Sequence, residues 1–341
     1  MDLAELNRVA TAMVAPGKGL LAADESGGTI KKRFDAIGVD STEDNRRDYR
    51  ELLFRTTKAM HDHISGVILF DETIRQKAAD GTPLVKVIEH AGAIPGIKVD
   101  KGAKRLAFCP GETITEGLDG LRERLTEYRE LGARFCKWRA VIDIGAGIPS
   151  HDAINANAHA LARYAALCQE QDLVPIVEPE VLMDGDHTIE RCEAVTMWTL
   201  KTVFQELYYA KVKLEGMVLK PNMILPGAKC ATQVSDQEIA ETTIRVLKDC
   251  VPSAVPGIAF LSGGQADVEA TARLDAMNKI GGFPWNLSFS YGRALQHAPQ
   301  VAWSGKTANV AAAQAAFTHR AVMNGLATRG QWNADIEKQA A

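Results

Sequence analysis

The 341-residue sequence has no apolar run approaching the ~18 residues that cross a bilayer, so no transmembrane helix and no membrane partner are expected. Its start carries Asp2 and Glu5 and no cleavable apolar region, so no secretory signal is expected and the cytoplasm is the expected compartment. Six cysteines are present, but the nearest two, Cys230 and Cys250, stand 20 positions apart. That spacing excludes a CxxC redox or zinc motif, and the thiols read as small buried apolar groups. Neither sign of charge dominates: 39 Lys and Arg face 43 Asp and Glu, which argues against a nucleic-acid partner for the chain as a whole. No Ser/Gly/Pro-rich linker and no low-complexity segment divides the chain. With 46% hydrophobic and 24% charged residues, disordered, collagenous and coiled-coil classes are excluded. At about 150 residues per domain the length suggests about two domains, although one α/β barrel can be this long.

What is present is a repeated alternation. Short apolar runs occupy 19–24, 66–70, 96–100, 135–141, 173–180, 216–221, 257–262 and 285–290, each bounded by Gly, Pro or a polar residue. Helical patterns lie between them. Leu118, Leu121, Leu125 and Tyr128 share one face, as do Ile239, Val246, Leu247 and Cys250. A longer stripe runs from Tyr49 through Leu52, Leu53 and Met60 to Ile64. Ala-rich 155–168 and 308–327 read as helices packed closely on a sheet. Eight βα units in one unbroken chain predict an α/β fold, a (β/α)8 TIM barrel over residues 1–341, with segment 328–341 outside the barrel. Leu3, Leu6, Ala10 and Met13 predict an extra N-terminal helix closing the barrel bottom.

The runs carry charges where apolar residues belong. Lys98, Lys137, Arg139, Glu178, Glu180 and Lys220 sit within or at the ends of strands, and Asp24 ends the first. Such residues are rarely buried unless paired, and an isolated buried charge is very costly. Residues i and i+2 of a strand share a face, so Lys137 projects with Arg139, and Glu178 with Glu180. If that face is the interior, three lysines and three carboxylates enter one cavity near the mouth where barrel active sites sit. A structural ion-pair lattice would explain one such residue more readily than seven on five strands. Lysine crowded by another cation, or desolvated, loses proton affinity and becomes a nucleophile, and carboxylates can move the protons that Schiff-base chemistry requires.

The last two runs end in LSGGQ (261–265) and FSYGRAL (289–295), passing through a hydroxyl and glycine into a helix. Glycine admits close backbone approach, and a helix N-terminus presents free N–H groups to an anion. Arg293 adds a planar cation. A second anion site is expected across the mouth, where Ser26, Thr29 and Arg33 follow the first strand and Lys98 lies nearby.

The segment VLKPNMILPG (218–227) resembles the Schiff-base lysine segment of class I fructose-bisphosphate aldolases. LLAADESGGTIKKRF, EDNRRDYRELL, GVILFDETI, GIKVDKG, GLDGL, KWRAVIDIG, VPIVEPEVLMDGDH, FLSGGQ and FSYGRALQ also resemble that family, in its order and over nearly the whole chain. The resemblance implies a homotetrameric barrel that reversibly splits fructose 1,6-bisphosphate into dihydroxyacetone phosphate and glyceraldehyde 3-phosphate. It implies no metal or other cofactor, because the protonated imine is the electron sink.

By the same resemblance Lys220 would form the imine and Glu178 would move protons during its formation. Asp24 would take the C4 hydroxyl proton, Lys137 would hold charge beside Lys220, and Glu180 would position these groups. Ser262, Gly263, Gly292 and Arg293 would bind the ketone-side phosphate; Ser26, Thr29, Arg33 and Lys98 would address the other. Arg139 would orient substrate, and Arg46 similarly from the EDNRRDYR segment. Two departures stand out. Thr29 replaces a frequent serine, keeping the hydroxyl. No tyrosine follows Tyr291, whereas animal members end in a tail tyrosine that aids proton exchange, so a resident carboxylate or a slower last step is expected here. Two alternatives remain at this level: a relative preferring fructose 1-phosphate or sedoheptulose 1,7-bisphosphate, and a barrel used mainly for binding.

Other signals are weaker. SGKT (304–307) mimics a P-loop end, but position 300 would have to be glycine and is Gln300. GAGIP (145–149) lacks a third glycine and reads as a turn. His61, Asp62 and His63 read as a solvated helix end, and Asp184, Asp186 and His187 as a polar loop.

Overall fold

Alternation along the strands sorts the barrel's residues into two sets. Leu20, Ala22, Ile68, Phe135, Val174, Ile176, Val218 and Ala259 point inward and pack as one cluster with Leu6, Val9, Ala10 and Met13. Leu21, Val67, Trp138, Val177, Leu219, Phe260 and Phe289 point outward into the larger core beneath the helices. The computed structural model describes residues 1–339. Its strands are β1 (Gly19–Ala23), β2 (Ile64–Leu69), β3 (Ile94–Lys98), β4 (Ala103–Arg105), β5 (Thr113–Thr115), β6 (Phe135–Ile142), β7 (Val174–Val181), β8 (Val218–Leu219), β9 (Gly257–Phe260) and β10 (Asn286–Tyr291). Eight of them close a parallel barrel in the order β1-β10-β9-β8-β7-β6-β3-β2. This is the (β/α)8 architecture that the alternation predicts.

The N-terminal helix Leu3–Met13 starts at Asp2, whose carboxylate accepts from the Glu5 N–H at 3.1 Å. Its buried face covers the inward-pointing residues at the barrel bottom. The floor is therefore apolar and closed, and polar chemistry is left to the C-terminal ends of the strands.

Three local expectations change. The stripe from Tyr49 to Ile64 belongs to two helices, Glu43–Phe54 and Thr57–His63, because the backbone leaves the helical region at Thr56 (φ −77°, ψ 64°). Ile64 is no longer helical there; it opens β2, in register with Gly19. The antiparallel hairpin β4–β5 stands outside the barrel and was not foreseen, since its strands are only three residues each. The sixth apolar run, expected over 216–221, shrinks to Val218–Leu219, because Pro221 has no N–H to continue a ladder. Asp24 lies one residue past β1.

Beyond residue 327, the Trp332 N–H donates to Asp275 at 2.8 Å, and its indole donates to Glu337 at 2.8 Å, docking helix Ala334–Gln339 against helix Asp267–Ile280. Residues 340 and 341 of the expected outer segment lie outside the described residues.

Candidate active site

The inward alternation continues upward from the apolar floor into charge. Above Phe135 come Lys137 and Arg139, above Val174 and Ile176 come Glu178 and Glu180, and above Val218 comes Lys220. Pairing of β6 with β7 sets Arg139 opposite Glu178. Lys137, Glu178, Glu180 and Lys220 are each 5% exposed or less, so these charges are compensated by one another and not by water.

The compensation is a chain. The Lys137 ammonium lies 2.7 Å from Asp24 Oδ2 and 3.1 Å from Glu178 Oε2. The other oxygen of Glu178, Oε1, lies 3.1 Å from Lys220 Nζ. Arg139 pairs with Glu180. Glu178 thus bridges two lysines, one per oxygen.

The two lysines are placed in opposite electrostatic positions. Burial disfavours the ammonium of both. For Lys137 that burial is outweighed by Asp24 and Glu178, helped by Asp100, and its pKa rises. Lys220 has Glu178 nearest and the Lys137 cation beside it; burial wins, and its pKa falls below the usual lysine value. Burial would raise Asp24, but Lys137, then Lys220 and Lys98, hold its carboxyl well below the usual carboxylate range. Burial would likewise raise Glu178, but Lys137, Lys220 and Arg139 keep it lowered and ionised. The result is one locked ammonium, two ionised carboxylates and one lysine that holds its proton less tightly than a free one.

These groups open into a cavity of about 710 Å³ at the mouth. Asp24, Thr29, Arg33, Lys137, Arg139, Glu178, Glu180, Lys220, Ser262, Gly263, Gly292 and Arg293 all line it. On one wall β9 leads into Ser262–Gly264, where Gly263 (φ +54°) and Gly264 (φ +102°) take left-handed turns that a side chain would strain. Arg293 begins helix Arg293–Trp303 and donates to the Gly264 carbonyl at 2.5 Å, joining the two glycine loops. Beside it, past the neighbouring strand β1, Arg33 approaches Gly292 and is held by the buried Glu25, which also accepts from Gln296 of the same helix at 2.7 Å.

Ser26 and Lys98 fall outside this lining, in a neighbouring cleft of about 510 Å³. The Ser26 hydroxyl still meets that of Thr29 at 3.2 Å, so the clefts adjoin. Arg46 lines neither cleft, and its guanidinium donates to Glu72 and to the Ser41 carbonyl. Sequence reading missed Lys32, Gly264, His297 and Ser290 in the main cavity. Ser290 was legible by alternation, since it shares the inward face with Ser288 and its hydroxyl is buried without a partner. His61, Asp62 and His63 close helix Thr57–His63 just before β2, at the barrel end away from this mouth.

The fructose-bisphosphate aldolase class-I family model matches residues 5–341. A protein named "Probable fructose-bisphosphate aldolase class 1" from Xanthomonas campestris pv. campestris is 59% identical over 333 residues, covering 97% of this chain and 99% of its own. "Fructose-bisphosphate aldolase 6, cytosolic" of Arabidopsis thaliana is 54% identical over 323 residues, covering 94% and 90%. Among solved structures, a fructose-bisphosphate aldolase from Plasmodium falciparum, in complex with TRAP and a small-molecule inhibitor, superposes with a TM-score of 0.96 at 48% identity, covering 97% of this chain and 96% of that one.

Proposed function

The chain belongs to the class I fructose-bisphosphate aldolase family, a carbon–carbon lyase, and from that premise we propose how its own residues carry the reaction. Lys220 is the amine that adds to the ketone carbon of fructose 1,6-bisphosphate. Glu178, 3.1 Å from Nζ, passes protons as the carbinolamine forms and loses water to give the protonated imine. Asp24 takes the C4 hydroxyl proton; the C3–C4 bond breaks, the aldehyde leaves, and the bond's electron pair moves into the imine to form an enamine. Protonation at C3 and hydrolysis then release the ketone and restore the amine. Lys137 stays charged throughout, and Glu180 fixes Arg139 over the substrate.

The observation that carries this reading is the contrast between the two buried lysines, one with two carboxylates in contact and one with a single carboxylate shared with a neighbouring cation. The test is borohydride reduction in the presence of dihydroxyacetone phosphate. One stable adduct is expected, mapped by mass spectrometry to Lys220; its absence from folded protein, or its appearance at another lysine, refutes the assignment.

The phosphate assignments rest on the glycine turns and the helix N-terminus. Ser262, Gly263, Gly292 and Arg293 hold the ketone-side phosphate, while Thr29 and Arg33, with Ser26 and Lys98 in the adjoining cleft, meet the other. Arg293→Ala should raise KM for the bisphosphate roughly 10–100-fold, the value of one charged hydrogen bond. A non-phosphorylated ketone should bind equally to both forms; equal loss for the two ligands would remove Arg293 from the phosphate site.

We also propose a cytoplasmic homotetramer. The cytosolic and cytoplasmic names of the plant relatives support the compartment. Exposed Tyr208 and Tyr209, 75% and 65% accessible at the end of helix Ile189–Tyr209, support contact with further copies. No described helix is long and apolar enough to cross a membrane.

A further inference from the structure

The nucleophile assigned above sits at the end of the shortest strand in the barrel. β8 has two residues, and from Lys220 to Gly227 the chain has neither helix nor strand. Yet every residue from Lys220 to Gly227 is buried. Buried backbone must have hydrogen-bond partners, and irregular buried segments cannot obtain them from a regular ladder. Pro221 and Pro226 remove two donors outright. Backbone outside any ladder meets part of the need, through Leu261 N–H to the Pro221 carbonyl at 3.1 Å and Gly227 N–H to the His187 carbonyl at 2.8 Å, and side chains meet another part.

Next to Lys220 the side-chain share falls to Asn222. Its Oδ1 accepts from the Val181 N–H at 3.0 Å, taking the place of the β7–β8 ladder beyond Lys220. Its Nδ2 donates to the Met223 carbonyl at 3.0 Å and to the Thr196 hydroxyl at 3.2 Å, tying the segment to helix Ile189–Tyr209. Thr196 and Asn222 are 3% and 5% exposed, so no water can substitute. Before this bracket the Lys220 N–H reaches the Val177 carbonyl at 2.8 Å, and after it the Ile224 N–H reaches the Thr243 hydroxyl at 3.0 Å. Lys220 is therefore clamped on one side by β7 and on the other by a side chain bonded to the end of the same strand that carries Glu178 and Glu180.

We propose that Asn222, braced by Thr196, is a positioning residue that fixes the distance between Lys220 and Glu178. It touches neither substrate nor the reacting atoms. It replaces missing sheet hydrogen bonds at the point where the reaction tolerates least movement, since a 1 Å displacement of a reacting group can cost about 100-fold in rate. The proposal rests on reading Lys220 as the imine-forming amine.

The test compares wild type, Asn222→Ala and Thr196→Val, the last removing only the brace while keeping its shape. The rate of borohydride-trapped adduct formation with dihydroxyacetone phosphate is measured against pH, together with KM, kcat and melting temperature. Asn222→Ala is expected to slow trapping and kcat roughly 10–100-fold while KM changes less than about threefold. The pH at which trapping rises should move upward, because a loosened Lys220 gains water and keeps its proton longer. Thr196→Val should shift both readouts the same way by less, and it carries the test if Asn222→Ala does not fold. An adduct on Lys220 in wild type with trapping rate and pH limb unchanged in the variants overturns the positioning role, whatever happens to the melting temperature. An adduct on another lysine in wild type overturns the reading of Lys220, and the positioning role with it.

Discussion

Lys220→Met is expected to give a folded barrel with no measurable cleavage of fructose 1,6-bisphosphate, a loss on the order of 10⁴-fold or more, as when a covalent nucleophile is removed elsewhere. The fold survives because both carboxylates keep a cationic partner. Met removes the amine while leaving Lys137 in contact with both Asp24 and Glu178. The chain length and volume are nearly kept, and volume-conserving swaps usually cost less than about 1.5 kcal/mol. A coupled assay for triose phosphate and a thermal melt check both halves. Residual turnover near the wild-type rate would remove Lys220 from the chemistry; a collapsed melt would show that its charge is structural.

Lys137→Met is expected to do the opposite kind of damage. Lys137 is the shared partner of Asp24 and Glu178, and removing one partner of a buried charge cluster typically costs about 3–5 kcal/mol. Even if Lys220 becomes protonated, one carboxylate stays uncompensated. The sign of the pH dependence follows. In wild type Asp24 and Glu178 are held below their unfolded values, so they add stability above about pH 4 that is lost as pH falls through their folded values. In the variant an unpartnered carboxylate is pushed up instead, so the deficit is largest at neutral pH and narrows on acidification. Lys220 meanwhile loses its neighbouring cation and faces both carboxylates, so it keeps its proton and cleavage falls sharply, with residual activity displaced to higher pH. Urea melts at several pH values measure the first effect and the pH profile of borohydride trapping the second. A deficit independent of pH would contradict the shared-partner account.

The two lysines also show what could be read in advance. Asp24, Lys137, Glu178 and Lys220 were visible as charges in runs that should be apolar, because burial punishes such residues and their presence demands a reason. Alternation alone placed Lys137 with Arg139 and Glu178 with Glu180 on one face. What alternation could not give was the difference between the lysines, which depends on which carboxylate lies across the barrel. The surroundings of Arg46 were hidden for the same reason. It sits in an arginine-rich helix near the mouth, but its partner Glu72 lies 26 residues further along the chain, and only the folded packing shows that the guanidinium is already used. Asn222 was equally silent. An asparagine after proline reads as a turn, and its role emerges only when the segment proves to be buried without a ladder. The eight strands were legible because each was bounded by Gly, Pro or a polar residue; the hairpin β4–β5 was not, since three-residue strands carry no period.

The apolar plug formed by helix Leu3–Met13 under the strands has a further effect on traffic. With the floor sealed, the chamber is a cul-de-sac whose occupants share one doorway. On the reading of Lys220 as the imine-forming amine, a sugar held there would keep its ketone half bound covalently while its phosphates meet the rim. After bond cleavage the aldehyde would be free while the ketone half is still bound covalently, so the aldehyde would depart first and the ketone follow once water has come in by the same route. Release in a fixed order would then follow from the covalent bond and the single doorway, without any gate having to impose it.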